Sequence, residues 1–139
     1  MLVVSRFTVA EGDGVGRADE GDGVGAADEG QTEFVQRARI ALEALAARPG
    51  FRRGRVGRSV DEPTEWVLVT EWDGVGAYRR ALSAYEVRVA ATPLLAQGRD
   101  EAGAFEVLVA ADGPGAAVTA ASDRAADAAS AAPRPLEDR

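Results

Sequence analysis

The spacing of apolar residues switches between two and about 3.6 along residues 2–110, and the order of those switches narrows the possible folds sharply. Residues 2–9, Leu-Val-Val-Ser-Arg-Phe-Thr-Val, are rich in β-branched and apolar types and read as a first strand. Residues 32–47 place Phe34, Ala38, Ala41, Leu42 and Leu45 on one helical face, with Thr32 as the expected N-cap and Pro49-Gly50 as the stop after Arg48. A strand follows over 51–60, with Gly54, Val56, Arg58 and Val60 on one side and Arg53, Arg55, Gly57 and Ser59 on the other. After the turn Asp61-Glu62-Pro63-Thr64 comes a third strand, 65–72, alternating Trp66, Leu68, Thr70 and Trp72 with Val67, Val69 and Glu71. A second helix is expected over 75–90, its inner face made by Val75, Tyr78, Leu82 and Tyr85, with Pro93 beyond it. A last strand over 104–110 carries Phe105, Val107 and Val109.

Strand, helix, strand, strand, helix, strand is the split βαβ arrangement. It predicts an α+β, ferredoxin-like βαββαβ domain: an antiparallel four-stranded sheet with two helices on one face. Two helices cover only one face of such a sheet. The other, expected to carry Trp and Val residues, is left bare, and an exposed apolar face of that kind meets a partner. The expected partner is a second copy, the two sheets packing face to face as a dimeric α/β-barrel with a cavity on the bare side.

Charge separates this core from two other segments. Residues 31–110 balance 11 acidic against 11 basic side chains, whereas 11–30 hold seven acids and one Arg, and 111–139 five acids and three Arg, within a net charge of −7. Residues 11–30 contain a tandem repeat, Glu11–Asp19 and Glu20–Asp28, whose glycines oppose both helix and strand. The expected organisation is therefore a domain over 1–110 interrupted by a flexible Gly/Asp-rich loop at 11–30, then a disordered Ala/Pro/Asp-rich tail at 111–139 that lacks the apolar surface to offset its ordering entropy. Both segments are expected to be dispensable for folding.

The residue types that are missing exclude whole classes of chemistry. The sequence has no Cys, His, Lys or Asn. Disulfides, thiolate nucleophiles, Ser–His–Asp triads, Schiff bases, a P-loop lysine and His-ligated haem or metal are all ruled out. Asp, Glu, Tyr and Arg remain to move protons or bind charge. Gly21-Asp22-Gly23-Val24-Gly25-Ala26 fits G-x-G-x-x-A, but no strand directly precedes it, no helix is expected directly after it, and its acids would repel a pyrophosphate. The repeats also lack the G-G-x-G-x-D order of calcium-binding nonapeptides. No cofactor is expected: neither flavin, haem nor a tightly held metal. No basic face suits nucleic acid, no apolar run reaches membrane-spanning length, and no signal-peptide pattern opens the chain. The expected location is cytoplasmic, with no nucleic-acid or membrane partner.

Among the strand and helix residues, several carry candidate chemistry. Trp72 ends a strand where its ring could line a pocket; Trp66 lies on the same face nearer the hairpin turn and suits a core or interface. Tyr78 and Tyr85, on the expected inner helix face, could each bind a substrate oxygen or satisfy a backbone group. Arg6 and Arg58 could hold a developing phenolate or pair with Glu71, Glu65 or another acid. Glu71 is the strand carboxylate next to Trp72, but alternation puts it on the opposite face.

Three stretches, Arg48-Pro49-Gly50-Phe51, Trp66-Val67-Leu68-Val69-Thr70-Glu71-Trp72 and Tyr78-Arg79-Arg80-Ala81-Leu82-Ser83, resemble the antibiotic biosynthesis monooxygenase family over about residues 2–109. The resemblance implies a dimeric α/β-barrel with a pocket between helices and sheet in each subunit. It also implies oxidation of aromatic phenols, anthrones or quinols by O₂ without metal or flavin, the deprotonated substrate itself passing an electron to O₂. A haem-degrading branch of the family binds haem through a helix His beside a strand Asn and a strand Trp. Trp72 matches that Trp, Ser5 stands at the Asn position, and Ala90 falls at about the His position, so haem degradation is not expected. The resemblance makes Trp72 and Ser5 the catalytic candidates, with Tyr78, Tyr85, Arg6, Arg58 and Trp66 as candidates for binding a small aromatic molecule. The alternative is a non-catalytic dimeric α/β-barrel that binds a small hydrophobic ligand or has a structural or stress-related role.

Overall fold

The computed structural model of the protein describes residues 1–10 and 26–122, so the expectations for the repeat through residue 25 and for residues 123–139 lie outside the described residues. The chain divides into a unit from Met1 to Phe105 and a second beginning at Glu106.

In the first unit, strand β1 (Leu2–Thr8) is followed by helix α1 (Ala26–Ala46), strands β2 (Phe51–Arg58) and β3 (Glu65–Trp72), helices α2 (Val75–Ser83), α3 (Tyr85–Ala90) and α4 (Thr92–Leu95), and strand β4 (Ala104–Phe105). The sheet order is β2-β3-β1-β4, all neighbours antiparallel, with the helices on one face. This is the ferredoxin-like α+β arrangement that the alternating periods imply.

Helix α1 starts at Ala26, so residues 26–30 belong to it rather than to the loop, and Thr32 lies inside the helix instead of capping it. Ala26 and Ala27 are strong helix formers by type, and the acid Glu29 in the first turn complements the helix dipole, which together outweigh Gly30. Its inner face is the expected one: Phe34, Ala38, Ala41 and Leu45 are buried, and Leu42 packs against them. Gly50, between α1 and β2, has φ +88°, and a Cβ there would collide with that of Ala77 on α2. The Pro-Gly-Phe turn thus seats the next helix on the sheet; the Asp73 N–H, just ahead of α2, also donates to the Gly50 carbonyl at 2.8 Å.

The expected helix over 75–90 is broken. Ala84 is extended (φ −70°, ψ 142°), which ends α2 and resets the helical phase. The break brings Val87, Ala91 and Leu94 into the core at 0 %, 0 % and 1 % exposure and turns Tyr85 outward, 74 % exposed. Fully burying a side chain of the size of Val87, Leu94 or Leu45 stabilises by about 1.5–3 kcal/mol. The last strand is also shorter than expected. Only Ala104 and Phe105 pair with β1, while Val109–Ala110 (β5) pairs with Val118–Thr119 (β6) in a separate hairpin of the second unit, so residues 111–122 are not the featureless tail that their composition implies.

Both Trp residues lie on the helix-covered face, with Val3, Phe7, Leu68 and Thr70, which corrects the expectation that the bare face carries Trp. The bare face instead reads, row by row, Phe105–Leu2–Glu71–Arg53, Val4–Val69–Arg55 and Arg6–Val67–Gly57. Its centre is aliphatic and its margins are charged, with Arg53 Nε 3.2 Å from Glu71 Oε1. Among the described residues no helix is long and apolar enough to cross a membrane.

Candidate active site

Two adjoining hollows share Tyr78 and Leu95. The inner one, about 290 Å³, has Val3, Val4 and Ser5 of β1 on one side and Gly98, Arg99, Glu101, Gly103 and Ala104 on the other. The outer groove, about 660 Å³, runs between α2 and α3–α4 along Leu82, Ser83, Arg88, Thr92 and Ala96. Ser5 reaches the inner cavity because alternation puts Val3, Ser5 and Phe7 on the helix-covered face of β1. Tyr78 reaches it because it is one turn into α2, on the side next to buried Ala77 and Ala81.

Tyr78 is half-buried, and this burial raises its phenol above the usual tyrosine range. The phenol therefore stays protonated at neutral pH and can donate a hydrogen bond. Trp72 packs against it, ring centroids 5.6 Å apart, and Phe51 meets Trp72 edge-on at 5.2 Å. The Trp72 ring is fully buried, and its Nε1 donates to Thr70 Oγ1 at 2.9 Å. It therefore lines neither hollow; it fixes the ring that does.

The far wall of the inner cavity is pinned by ions. Arg99 donates through Nη2 to Glu65 Oε1 at 2.6 Å and through Nη1 to Glu65 Oε2 at 3.1 Å and to Thr8 Oγ1 at 2.8 Å. The Arg99 hydrogen bond holds the Glu65 carboxyl below its ordinary value, and the same bond raises the Arg99 guanidinium.

Of the residues singled out in the sequence, the structure brings Ser5 and Tyr78 together, with Trp72 in support. The others lie elsewhere. Arg6, on the bare face, and Arg58 and Trp66, at the hairpin end of the sheet, border a separate depression of about 400 Å³. The Arg58 guanidinium carbon is 5.5 Å from the Trp66 ring centroid, and its Nη1 donates to Gln31 Oε1 at 2.7 Å. Tyr85 lines none of these hollows, because the break at Ala84 has turned it to solvent. Glu71 faces away from Trp72, as alternation requires. Sequence reasoning missed the segment after α4, which supplies most of the far wall. It has no apolar period, and its one signal is the charged run Arg99-Asp100-Glu101 between Gly98 and Gly103. Among the described residues no cluster of acidic side chains is placed to hold a metal ion.

Residues 24–92 match the sequence profile of the family described as antibiotic biosynthesis monooxygenase. SnoaB, a cofactor-independent oxygenase from Streptomyces nogalater, is similar in structure at 27% sequence identity and a TM-score of 0.52, over 77% of this chain and 94% of that one. A conserved protein from Methanosarcina mazei Go1 has the same fold at 16% identity and a TM-score of 0.51, over 74% of this chain and 84% of that one. No curated protein matches the sequence. The profile match covers α1, β2, β3, α2 and α3, the elements that carry the Pro-Gly-Phe turn, Trp72 and Tyr78, and the structures extend the likeness through the sheet: the chain carries a domain of the antibiotic biosynthesis monooxygenase family.

Proposed function

We propose that the protein is a cofactor-independent monooxygenase that oxidises an aromatic phenol, anthrone or quinol with O₂ in the joined cavity around Tyr78. The observation that carries this reading is the half-buried Tyr78 lining, together with Ser5, a hollow of mixed polarity and backed by the Trp72 ring. The similarity to a cofactor-independent oxygenase at 27% identity supports it.

An anthrone serves as the worked case. Its enol loses a proton to water in the outer groove, leaving an electron-rich anion. That anion passes one electron to O₂, and the radical pair collapses to a carbon-bound peroxide anion, which takes back a proton from water to become the hydroperoxide. Loss of water then leaves the new carbonyl: one oxygen atom enters the product and the other leaves as water. Tyr78 donates a hydrogen bond to the substrate oxygen as its negative charge develops, and the Ser5 hydroxyl supplies a second polar contact on the opposite wall. Trp72 is a positioning residue that keeps the Tyr78 ring in place.

Oxygen uptake with 1,8-dihydroxyanthrone tests the reading. Turnover above the uncatalysed rate is expected, and Tyr78→Phe should lower kcat about a hundredfold, the usual cost of removing one oxyanion donor. Because burial raises the Tyr78 phenol, its ionisation should cut the rate only above pH of about 10. Uptake no faster than in buffer would overturn the enzymatic reading. It would favour the second one, a non-catalytic carrier of a small hydrophobic ligand, which is supported by the withdrawal of Trp72 from the cavity surface.

The same reading includes a homodimer closed through the bare sheet face. Leu2, Val4, Val67 and Val69 supply an aliphatic centre there, Phe105 adds an aromatic edge, and the Arg53–Glu71 pair stands at the opposite margin. Light scattering at micromolar concentration should give twice the chain mass of 14.5 kDa, and a monomer would remove this part.

A further inference from the structure

We propose that residues 96–103 form a strap over the inner cavity and that Arg99 is its latch, a positioning residue that closes the wall by clamping Glu65 and Thr8. The proposal deepens the reading above and rests on it only for the kind of ligand admitted.

The strap links the end of α4 to the two-residue strand β4. Between them lies no regular structure to hold it down, yet it supplies the outer wall opposite Val3, Val4 and Ser5. Two backbone bonds tie it to β1: the Arg99 N–H donates to the Arg6 carbonyl at 2.8 Å, and the Val4 N–H donates to the Gly103 carbonyl at 2.6 Å. Gly103 is required for that approach, since a Cβ at this position would stand 2.6 Å from the Val4 carbonyl oxygen. A long hydrogen bond from Arg37 Nη1 on α1 to Gln97 Oε1 at 3.5 Å adds little, and the remaining attachment is ionic. Arg99 reaches back across β1 to grip both carboxylate oxygens of Glu65 on β3, together with the Thr8 hydroxyl. Glu101 adds a looser contact, 3.7 Å from Arg99 Nε and 3.9 Å from Arg6 Nε.

Size gives the latch a purpose. The inner cavity of about 290 Å³ lies at the lower limit of pockets that enclose a drug-sized ligand, about 300–1,000 Å³. A polycyclic aromatic in the joined cavity therefore enters the inner part only in part, and deeper seating beside Ser5 needs a wall to yield. β1 cannot yield, because it pairs along its whole length with β3. The strap can, since an exposed ion cluster, two backbone hydrogen bonds and one long side-chain hydrogen bond are a small barrier next to a sheet or a packed helix. A planar fork holding two oxygens and a hydroxyl also gives the closed position a definite geometry, which a single point charge would not.

Amide hydrogen exchange on the full-length protein, with no ligand present, tests the latch directly. In Arg99→Ala the Val4 and Arg99 amides should exchange about three- to tenfold faster, while the amides that join β2 to β3 keep their wild-type rates. Arg99→Lys, which keeps the charge but loses the fork, should fall between the two. If Arg99→Ala does not fold, Glu65→Gln removes the charge partner and should give the same local acceleration. Binding of 1,8-dihydroxyanthraquinone followed by stopped flow supplies the functional arm: association and dissociation should both speed up about three- to tenfold, with the Kd changed much less. Unaltered exchange at Val4 and Arg99, or acceleration spread evenly through the β2–β3 ladder, would overturn the strap. Failure of the anthraquinone to bind the wild-type protein would instead count against the proposed function, and the exchange experiment would still decide the latch.

Discussion

Trp66 and Trp72 lie on the same face of the same strand, and their surroundings differ in every respect that matters. At the Trp72 end the indole is fully buried, Nε1 donates to Thr70, and the ring is held between Phe51 and Tyr78 at the edge of the cavity. At the Trp66 end the residue is 9 % exposed, and its buried Nε1 has no hydrogen-bond partner among the described residues. The ring meets Phe34 at 5.1 Å, and Arg58 lies over it. Strand alternation puts both residues on one face but says neither which face the helices cover nor what each residue does. A polar partner two residues back and a helix arriving with Tyr78 set one end beside the cavity, and a helix arriving with Phe34 packs the other into the core.

This contrast is sharpest under truncation. Trp72→Ala should cost about 3–5 kcal/mol, measured by urea unfolding, because it opens a cavity under α2 and leaves the Thr70 hydroxyl without its partner. It should also abolish any turnover that depends on Tyr78. Trp66→Ala should cost less, since part of its loss is offset by removing an orphaned N–H. Equal costs would break the distinction between the two ends.

Thr70→Val is the next step down. It keeps the shape of the side chain and removes the acceptor, so the Trp72 Nε1 becomes as orphaned as that of Trp66, at a cost of about 1–3 kcal/mol. A Thr70→Val protein as stable as wild type would mean that the hydrogen bond contributes nothing to the difference.

How far the sequence carries depends on which force decides each element. The α1 face, the alternation of β2 and β3 and the hairpin between them follow from local periodicity, so Phe34, Ala38 and Leu45 fall where the pattern puts them and Trp66 and Trp72 share one face, but that the helices cover this face, rather than leave it bare, is a tertiary outcome the pattern does not contain. The break at Ala84 does not, because Ala has high helix propensity and the burial of Val87 and Leu94 is a tertiary gain that no window of sequence contains. Tyr85 was misplaced for that reason, and Tyr78, before the break, was not. The candidate site was half legible in the same way. Ser5 and Tyr78 sit on regular elements, whereas the wall at Gly98–Gly103 is held by contacts to Thr8, Glu65 and Val4, which are far away in sequence.

The smallest expected effect concerns what stabilises the Trp66 end. Arg58 covers the face of Trp66 and donates to the side-chain oxygen of Gln31 on α1. Among the described residues no carboxylate lies within ion-pair distance of Arg58, in contrast to Arg53, which pairs with Glu71 on the other face of the same sheet. The attraction is therefore between a cation and a ring quadrupole plus one neutral acceptor, which falls off faster with distance than a charge pair and is less exposed to screening by salt. Arg58→Ala should destabilise by about 0.5–1 kcal/mol, with nearly the same value at low and high ionic strength. Arg53→Ala should lose its effect as salt rises. Removing Arg58 also uncovers one indole and leaves the other untouched, so the Trp66 fluorescence should shift to the red in Arg58→Ala while the buried Trp72 contribution, isolated in a Trp66→Phe background, should not change. A strongly salt-dependent cost at Arg58 would point to an acidic partner for it. A shift in the Trp72 emission would mean that the two ends of the strand are coupled rather than independent.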